Sequence, residues 1–369
     1  MPFIIPSNSQ SSTGFTIDQS IRFNDDDSPS LDKTYSGAGS RTTFTFSCWF
    51  KLGGYFSGTG AIAFFNGGTG ASDTGWTGIG VRYAGSGADV AFQGYNTNWR
   101  VTSRKFRDHS AWYHLVAVWD TTNSIASERV RIYINGVRET DFSTSNDPSA
   151  SAQAGIGQAA KHSIGYQSRT VGFNYADAYM AEIVFLDGTA TDCNSFAEFN
   201  DSGIWVPKDV SGLTFGQGND YTASGLTSYD RVSDSPSNNF AVYNTLYNVG
   251  DVDFPTYSEG NLSVDFNYYG KRSPISTFAI PTDSDAYCEF YIKTSSASNN
   301  SGVGIGQGDA NNSGNVVLTN GVSYNLNGYK TTGGSSTTFG NTYTAGDIIG
   351  VYFDQSDNEV DFYKNNSLE

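Results

Sequence analysis

Two stretches of the chain share one pattern of hydrophobic and polar positions. The first, Trp112–Gly136 (WYHLVAVWDTTNSIASERVRIYING), has an apolar run ending at an aspartate, then a polar loop and a strand with alternating apolar and polar residues. The second, Gly346–Asn366 (GDIIGVYFDQSDNEVDFYKNN), repeats that order in a shorter form. Such alternation indicates a β-strand with one covered face. The two hairpins, more than 200 residues apart, therefore predict two β-sandwich domains in tandem.

The strand patterns also predict which faces are covered. Over Thr43–Lys51, three phenylalanines and a cysteine alternate with polar residues and one tryptophan, which predicts a half-buried strand. The run Leu115–Trp119 is apolar on both faces, as in a central strand that is covered on both sides. In Val130–Ile134, the β-branched residues point inward, and the Asn135-Gly136 pair that follows predicts a tight two-residue turn.

The remaining patterns divide the chain into an arm, two sandwiches and a connector. Further strands are predicted at Ala61–Phe65, Ile79–Tyr83, Val90–Gln93, Trp99–Thr102, His162–Tyr166, Ala178–Leu186, Tyr287–Lys293, Val303–Gly306, Val316–Leu318, Ser323–Leu326 and Glu359–Lys364. No long amphipathic helix is predicted. Residues 1–14 form an irregular arm, 15–204 the first sandwich, 205–240 an irregular connector, and 241–369 the second sandwich. The last hairpin stops near its turn, so we expect its edge to be completed from beyond Glu369 or by another chain.

Composition supports an all-β fold and excludes some partners. Aromatic residues reach 15% and glycine is frequent at 42 residues, as in strands joined by turns. The net charge of −16 disfavours nucleic-acid binding, which needs a basic surface. No apolar run approaches the roughly 20 residues of a membrane span, so no membrane insertion is expected.

The cysteines and the N-terminus bear on where the protein works. Cys48, Cys193 and Cys288 are far apart in sequence, which gives neither a disulfide framework nor a metal-binding spacing. We read Cys48 as a small core residue and expect synthesis in a reducing cytoplasm. The first residues, MPFIIPSNSQSSTG, lack the basic and long apolar regions of a signal peptide. If the protein acts outside cells, it leaves them without such a signal. A component of a virus particle that is released by lysis would meet this condition.

Several segments resemble known families. SIRFNDDDSPSL, FTFSCWFKLG, WYHLVAVWDTTN, VRIYINGVRE and YMAEIVFLDGTA, over roughly 15–190, resemble laminin-G/pentraxin-like domains of the concanavalin A-like jelly-roll superfamily. SFAEFNDSGIWVPKDVSGLTFG and SDSPSNNFAVYN look like connectors in phage structural proteins. EFYIKT, GVGIG and GDIIGVYFDQSDNEVDFYKNN, within Tyr287–Asn366, are similar to a SPRY domain, although SPRY domains usually continue past this hairpin.

The resemblance implies a non-enzymatic virion structural protein. It would be a tail fibre, spike or head-decorating fibre on the virion surface, synthesised in the host cytoplasm. Expected partners are other virion proteins and a host surface glycan or receptor, and a homo-oligomer, trimeric by analogy with fibres, is expected. The alternatives are a carbohydrate-active enzyme or its binding module, and a bacterial surface adhesin. Fold alone does not choose among these functions.

Candidate catalytic residues are few. Glucanases of this superfamily carry a Glu-x-Asp-x-Glu or Glu-x-Asp-x-x-Glu strand, which supplies the two carboxylates that glycoside hydrolysis needs. Here Glu359-Val360-Asp361 lacks the second glutamate. The three histidines are His109, His114 and His162, and we read His114 as a hydrogen-bonded residue of the sandwich. No catalytic residue is therefore predicted.

Candidate binding residues lie in loops. Trp76, Tyr95 and Trp99 stand among Asn, Thr and Gly residues, and an exposed aromatic ring can stack on a sugar. The alternative is that each ring belongs to the core or its rim. The laminin-G resemblance implies calcium as the one possible cofactor. Asp25-Asp26-Asp27, or Asp120 with Asn123, could supply oxygen ligands for it. Because a solvated acidic turn is the alternative, no metal ligand is named.

Overall fold

The computed structural model divides the chain into two compact units. Among the residues described below, the first unit comprises those from 14 to 239 and Ser258–Asn261, and the second comprises those from 240 to 257 and from 262 to 369. The residues that the structure describes are 14–53, 61–68, 70–72, 74–83, 87–168, 174–216, 221–245, 255–265, 274–280, 285–295, 301–306 and 321–369. The predicted arm, apart from Gly14, and the predicted strand Val316–Leu318 lie outside these residues.

The first unit is built from antiparallel strands. They are β1 (Ser20–Phe23), β2 (Ser30–Thr34), β3 (Thr43–Leu52), β4 (Ala61–Gly67), β5 (Thr77–Tyr83), β6 (Ala88–Gly94), β7 (Asn98–Thr102), β8 (Tyr113–Asp120), β9 (Val130–Ile134), β10 (Val137–Arg138), β11 (Phe142–Ser145), β12 (Lys161–Ile164), β13 (Ala178–Asp187), β14 (Ala197–Phe199), β15 (Trp205–Pro207), β16 (Thr222–Ser224) and β17 (Arg231–Val232). A seven-stranded sheet has the order β10-β9-β8-β3-β13-β1-β17, and an eight-stranded sheet has the order β11-β7-β6-β5-β4-β12-β2-β16. Strands β14 and β15 form a separate hairpin.

The core of the first unit fills the space between its two large sheets. Phe44, Phe46, Cys48 and Phe50, which alternate along β3, are all fully buried in it. The inward-facing residues of β9 are buried in the same core. The predicted inward faces of both strands are therefore confirmed, and burial raises the pKa of the Cys48 thiol.

The outer face of β3 is buried as well, so the prediction of a half-buried strand is wrong. Trp49 is 5% exposed and belongs to a second core cluster on this side of the sheet. Segment 193–215 supplies the cover, with Phe196 and Trp205 buried in the cluster and Leu213 packed against it. The same cluster includes Val116, so the prediction that β8 is covered on both faces is confirmed.

The segment predicted as a connector, 205–240, contributes β15, β16 and β17 to the first unit. A buried ion pair holds its end, because Lys51 Nζ lies 2.8 Å from Asp234 and donates to Asn239 Oδ1 at 2.9 Å. Trp112 Nε1 donates to the other carboxylate oxygen of Asp234 at 2.9 Å. Burial lowers the pKa of Lys51, and the neighbouring Asp234 opposes that shift.

The second unit contains two four-stranded sheets, β20-β25-β26-β27 and β21-β22-β23-β24. The remaining strands of the chain are β18 (Thr256–Ser258), β19 (Ser263–Asp265), β20 (Ala286–Tyr291), β21 (Gly302–Gly306), β22 (Gly321–Asn325), β23 (Tyr329–Thr332), β24 (Ser335–Thr338), β25 (Ile348–Asp354), β26 (Glu359–Lys364) and β27 (Ser367–Leu368). One core, around Tyr324, Val351 and Phe362, takes residues from both four-stranded sheets. Directly after the turn of the last hairpin, β27 pairs with Tyr363 and Lys364 at the end of β26.

Helical structure is minor in the described ranges. It consists of short 3-10 turns at Asp25–Asp27, Ala126–Glu128, Cys193–Ser195 and Ser228–Asp230. None of the helices described is long and apolar enough to cross a membrane. The fold is all-β, as the alternating patterns predict.

Candidate functional site

The three aromatic residues predicted to contact a glycan come to the same end of the eight-stranded sheet. Thr77 at the start of β5 pairs with Gly94 at the end of β6. Trp76 directly precedes the first of these residues and Tyr95 directly follows the second. Trp99 lies in β7, just after the β6–β7 turn. The antiparallel register thus brings together residues that are 23 positions apart in the chain.

Trp76 is a core residue, so its predicted role as a sugar-stacking ring is corrected. Its side chain is 1% exposed, and its Nε1 donates to Asn66 Oδ1 at 3.1 Å. An edge of the ring lies against Gly78, where a Cβ would come within 2.5 Å of it. A ring that is enclosed in this way offers no free face for a sugar.

Tyr95 and Trp99 are both half-buried and keep part of their ring surface accessible. Trp99 packs edge-on against Trp119 with ring centroids 5.6 Å apart, which fixes its orientation. Its indole N–H is buried and has no acceptor within the described part of the chain. A buried donor of this kind is normally satisfied by water or a ligand oxygen. Of the three predicted residues, these two remain in the candidate site.

A hydrogen-bonded frame holds the β6–β7 turn. The Gly94 N–H donates to the Thr97 carbonyl at 2.7 Å, closing the turn. Asn146 donates through its side chain to Asn98 O and through its backbone N–H to Trp99 O, both at 2.8 Å. We call residues 94–99 together with Asn146 the hairpin rim. Its exposed amide, Asn96, and its half-buried Tyr95 and Asn98 form a polar surface beside an aromatic ring.

Arg100 stabilises the hairpin rim through hydrogen bonds from its guanidinium group. Its guanidinium donates to Asn146 O at 2.7 Å and to Asp147 Oδ1 at 2.5 Å. The Arg100 side chain is 3% exposed and the Asp147 side chain 38%, so the guanidinium is fixed inside the fold while its carboxylate partner reaches solvent. The rim is therefore preorganised, which lowers the entropy cost of binding a ligand there.

A shallow depression beside the rim is lined by residues that include Ala63, Gly78, Gly80, Gln93 and Gln167. It leaves no room for a water molecule, so this depression is not a binding cleft.

His114 is held in a tautomer that prevents it from acting as a base toward its serine neighbour. Trp205 Nε1 donates to His114 Nδ1 at 3.0 Å, so this nitrogen carries no proton. His114 Nε2 must then carry the proton and donate to Ser47 Oγ, which lies 2.8 Å away. Burial lowers the pKa of His114 to about 3. This geometry supports the interpretation of His114 as a hydrogen-bonded sandwich residue.

His162 is fixed in the opposite tautomer. The Gly157 N–H donates to His162 Nε2 at 3.0 Å, and His162 Nδ1 then donates to the Ala160 carbonyl at 3.0 Å. Burial lowers its pKa to about 4. Both of its nitrogens serve the backbone, which is a structural role.

The two candidate calcium-binding sequences lie at opposite ends of the seven-stranded sheet. Asp120 pairs with Thr43 at the start of β3, whereas the Asp25–Asp27 turn follows β1, whose last residue pairs with Ala178 opposite the end of β3. Ten residues of strand, about 30 Å, separate these ends. Within the described ranges, no group of three or more His, Cys, Asp or Glu side chains converges to hold a metal ion.

One carboxyl near the Asp25–Asp27 turn has unusual electrostatics. Asp177 directly precedes β13, and burial together with the charges of Asp25 and Asp26 raises its pKa to about 7. The Asp177 Oδ1 atom is buried without a hydrogen-bond partner among the described residues. The sequence gives no signal for this residue, because its environment is created by the meeting of β1, β3 and β13.

Comparison with protein families identifies the fold of the first unit. Residues 18–193 match the laminin-G type model of the concanavalin A-like lectin/glucanases superfamily. The predicted laminin-G/concanavalin A-like jelly roll is confirmed by this match, and the region is a concanavalin A-like domain. A search of curated proteins gave no significant match.

Solved structures show distant likenesses. A heptameric SAP-like pentraxin from Limulus polyphemus is 19% identical, with 47% of this chain and 78% of that chain covered and a TM-score of 0.33. The enzymatically active domain of tailspike protein 2 of bacteriophage CBA120 is 13% identical, with coverages of 52% and 31% and a TM-score of 0.32. Domains LG4-5 of the mouse laminin α1 chain are 9% identical, with coverages of 97% and 78% and a TM-score of 0.34. At these identities and scores, no functional inference is drawn from them.

Proposed function

We propose that the protein is a non-enzymatic glycan-binding protein that uses the hairpin rim of its concanavalin A-like domain. The observation that carries this proposal is the fixed polar and aromatic surface formed by Tyr95, Asn96, Asn98 and Trp99 on a domain of the lectin/glucanase superfamily. A sugar ring would stack on the accessible part of Tyr95 or Trp99, and the amides would hydrogen-bond its hydroxyl groups.

The histidine geometry supports a structural role for His114 and His162, and the incomplete carboxylate motif supports a binding role over a hydrolytic one. Both His114 and His162 are neutral at physiological pH and use their ring nitrogens within the fold. The carboxylate motif of the glucanases is incomplete at Glu359-Val360-Asp361. Turnover of a polysaccharide that is lost when a carboxylate pair is changed would instead favour the carbohydrate-active enzyme.

We test the rim with two variants and a matched control. Tyr95→Ala and Trp99→Ala in the full chain should each weaken binding to a responsive glycan on an array about tenfold. Tyr229→Ala removes an 86% exposed tyrosine elsewhere in the first unit and should leave binding unchanged. Equal binding by all three variants, with folding verified by circular dichroism, would contradict the rim as the site.

We further propose that the protein is a virion fibre or decoration component on the particle surface, with a SPRY-like second sandwich, and that it is a homo-oligomer, as a trimer. The tandem sandwiches and the phage-like segments 195–216 and 233–244 support this role. Immunogold labelling of purified particles should place the protein on the virion, and light scattering should give the mass of three chains. A monomer that does not associate with particles would contradict the proposal and leave the bacterial surface adhesin as the alternative.

Calcium binding near the Asp25–Asp27 turn is proposed as an accessory feature. The Asp177 Oδ1 atom is buried without a hydrogen-bond partner among the described residues, and burial together with the charges of Asp25 and Asp26 raises its pKa, so a cation there would stabilise the carboxylate. Millimolar calcium should raise the melting temperature of the first unit, and Asp177→Asn should abolish the increase. If calcium leaves the melting temperature of the wild-type protein unchanged, the proposal of a calcium site is wrong.

A further inference from the structure

One face of the β20-β25-β26-β27 sheet carries four tyrosines. Tyr287 and Tyr291 alternate along β20, and Tyr287 pairs across the sheet with Tyr352 of β25. Tyr363 of β26 pairs with Gly350, next to these residues. Antiparallel partners point to the same side of a sheet, so the four rings share one surface. We call this surface the tyrosine face.

The tyrosine face is most exposed at Tyr291, whereas the opposite side of the same sheet contributes Ile349, Val351 and Phe362 to the core. Tyr291 is 62% exposed, and Ile348, its partner, is 40% exposed. Ile349 and Val351, which alternate with these positions and point to the other side, are at most 1% exposed. The Tyr287 ring crosses over Gly350, where a Cβ would come within 2.5 Å of its hydroxyl group, so this ring lies low on the sheet.

The charges on this face are negative. Glu289 lies between Tyr287 and Tyr291, and Asp361 pairs with Tyr352. Asp354 and Glu359, two positions further along their strands, pair with each other, so the four charged strand residues of this face are all acidic. The nearest cation in the same alternation, Lys293, follows the end of β20 and donates to Ser263 Oγ at 3.3 Å. The surface therefore combines aromatic rings with carboxylates.

Two of the phenol groups donate to carboxylates. Tyr287 Oη donates to Glu289 Oε1 at 2.8 Å, and Tyr352 Oη donates to Asp285 Oδ2 at 2.8 Å. The bond to Asp285 raises the pKa of Tyr352 to about 12. A hydroxyl group that donates to a carboxylate has no proton left for a sugar oxygen. The same bond increases the electron density of the ring, which strengthens its attraction for a cation.

We propose that the tyrosine face is a docking surface for a cationic protein partner, whose arginine or lysine side chains stack on the tyrosine rings and pair with Glu289 and Asp361. Charge complementarity selects this occupant, because aromatic faces and carboxylates both attract guanidinium and ammonium groups. An isologous contact with a second copy would place carboxylates against carboxylates, in a chain whose net charge is already −16. A carbohydrate is less well matched, because the phenol protons of Tyr287 and Tyr352 are already committed.

The experiment measures binding of fluorescent nona-arginine to the full chain by anisotropy. Because an acidic protein attracts this peptide everywhere, the test compares variants that leave the charge unchanged. Tyr291→Ala should weaken binding about three- to tenfold, whereas Tyr291→Phe should stay within twofold of wild type because the ring is retained. Tyr229→Ala, at an 86% exposed tyrosine of the first unit, should bind like wild type. Binding should also weaken as salt is raised from 50 to 300 mM.

Three results would overturn the proposal. Equal affinity of Tyr291→Ala and the wild type for nona-arginine would contradict it. Loss of affinity in Tyr229→Ala to the same extent would show that the peptide senses overall charge or fold. Binding of a neutral oligosaccharide such as cellohexaose that depends on Tyr291 would assign the face to carbohydrate. Tyr291 is mostly exposed, so its replacement leaves the core intact, and circular dichroism of each variant checks this.

Discussion

The β8–β9 hairpin of the first unit and the β25–β26 hairpin of the second have the same pattern but different surroundings. Val118 in the first occupies the position of Tyr352 in the second, since each lies two residues before the aspartate that ends its strand. Val118 is fully buried under the second core cluster, whereas Tyr352 is half-exposed on the tyrosine face. The first hairpin is buried on both faces, and the second is solvent-accessible on one face.

The cover on the first hairpin comes from a distant part of the chain. Segment 193–215 brings Phe196 and Trp205 over the outer face of the seven-stranded sheet. The corresponding face of the second hairpin holds tyrosines and acidic residues, which tolerate water. Whether a strand face is scaffold or binding surface is therefore decided by what packs on it and not by the strand's own pattern.

The largest expected effect on stability comes from substituting asparagine at the equivalent position of each hairpin. Val118→Asn leaves an unpaired polar group in a fully buried site and should lower the free energy of unfolding of the first unit by about 3–5 kcal/mol. Tyr352→Asn, on a half-exposed face, should cost the second unit no more than about 1 kcal/mol. Urea unfolding followed by tryptophan fluorescence reports the first unit, because all six tryptophans lie there.

Hydrogen exchange measured by mass spectrometry reports the second unit in the same samples. Similar losses in the two variants would contradict the difference between a covered and an open face. Val118→Ile serves as the control for size, and it should cost about 1 kcal/mol or less if the cover can adjust.

A smaller effect is expected from acidification, and it should be confined to the first unit. All three histidines lie there, and the pKa of His114 is about 3 and that of His162 about 4 in the folded chain. Because their ordinary pKa is higher, the unfolded chain binds protons first as the pH falls below about 6.5, and stability is lost. At pH 5, His114 alone should cost about 2 kcal/mol relative to pH 7.

Asp177 acts in the opposite direction, and this gives the acid experiment a control. Its folded pKa, about 7, is raised, so the folded chain takes up this proton first as the pH falls and gains stability. In an Asp177→Asn background, the loss of stability between pH 7 and pH 5 should therefore be steeper than in the wild type. If the urea midpoint of the first unit is constant over this range in both proteins, the claim that its histidines are buried and neutral is refuted.

The smallest effects are expected at the two turns. Both turns have positive φ at their central positions, 49° and 79° at Asn135-Gly136 and 49° and 67° at Asn365-Asn366. Gly136→Asn should destabilise the first unit by about 1–2 kcal/mol, because a Cβ there would come within 2.5 Å of the Trp205 ring. Asn366→Gly should stabilise the second unit by about 0.5 kcal/mol or less, since glycine adopts positive φ more readily. Melting temperatures measure both changes, and a stable Gly136→Asn variant would contradict the close packing of Trp205.

Much of the fold could be predicted from local pattern. The alternation along β3 and β9 identifies the inward faces, and the Asn135-Gly136 pair identifies the turn, because strand geometry and turn conformation depend on neighbouring residues. The short strands β14 to β17 could not be predicted, since two or three residues carry no periodicity and pair only when the rest of the sandwich exists.

The candidate sites were only partly predictable for the same reason. The sequence indicates Trp76, Tyr95 and Trp99 as loop aromatics, and the register brings them to one sheet end. In the structure, the side chain of Trp76 packs against Gly78, and its indole N–H donates a hydrogen bond to Asn66 Oδ1. A tryptophan among glycines has the same local pattern whether its ring is exposed or enclosed.

The sequence by itself determines an all-β chain with two hairpins of one pattern, because strand alternation and turn residues act over a few positions. Only the tertiary structure decides which of their faces are free, because burial depends on residues far away in the chain. Trp205, 91 positions from His114, sets the tautomer of that histidine and covers the first hairpin. No described residue plays this part over Tyr291, which is 62% exposed, and there the same strand pattern leaves an aromatic surface open to solvent.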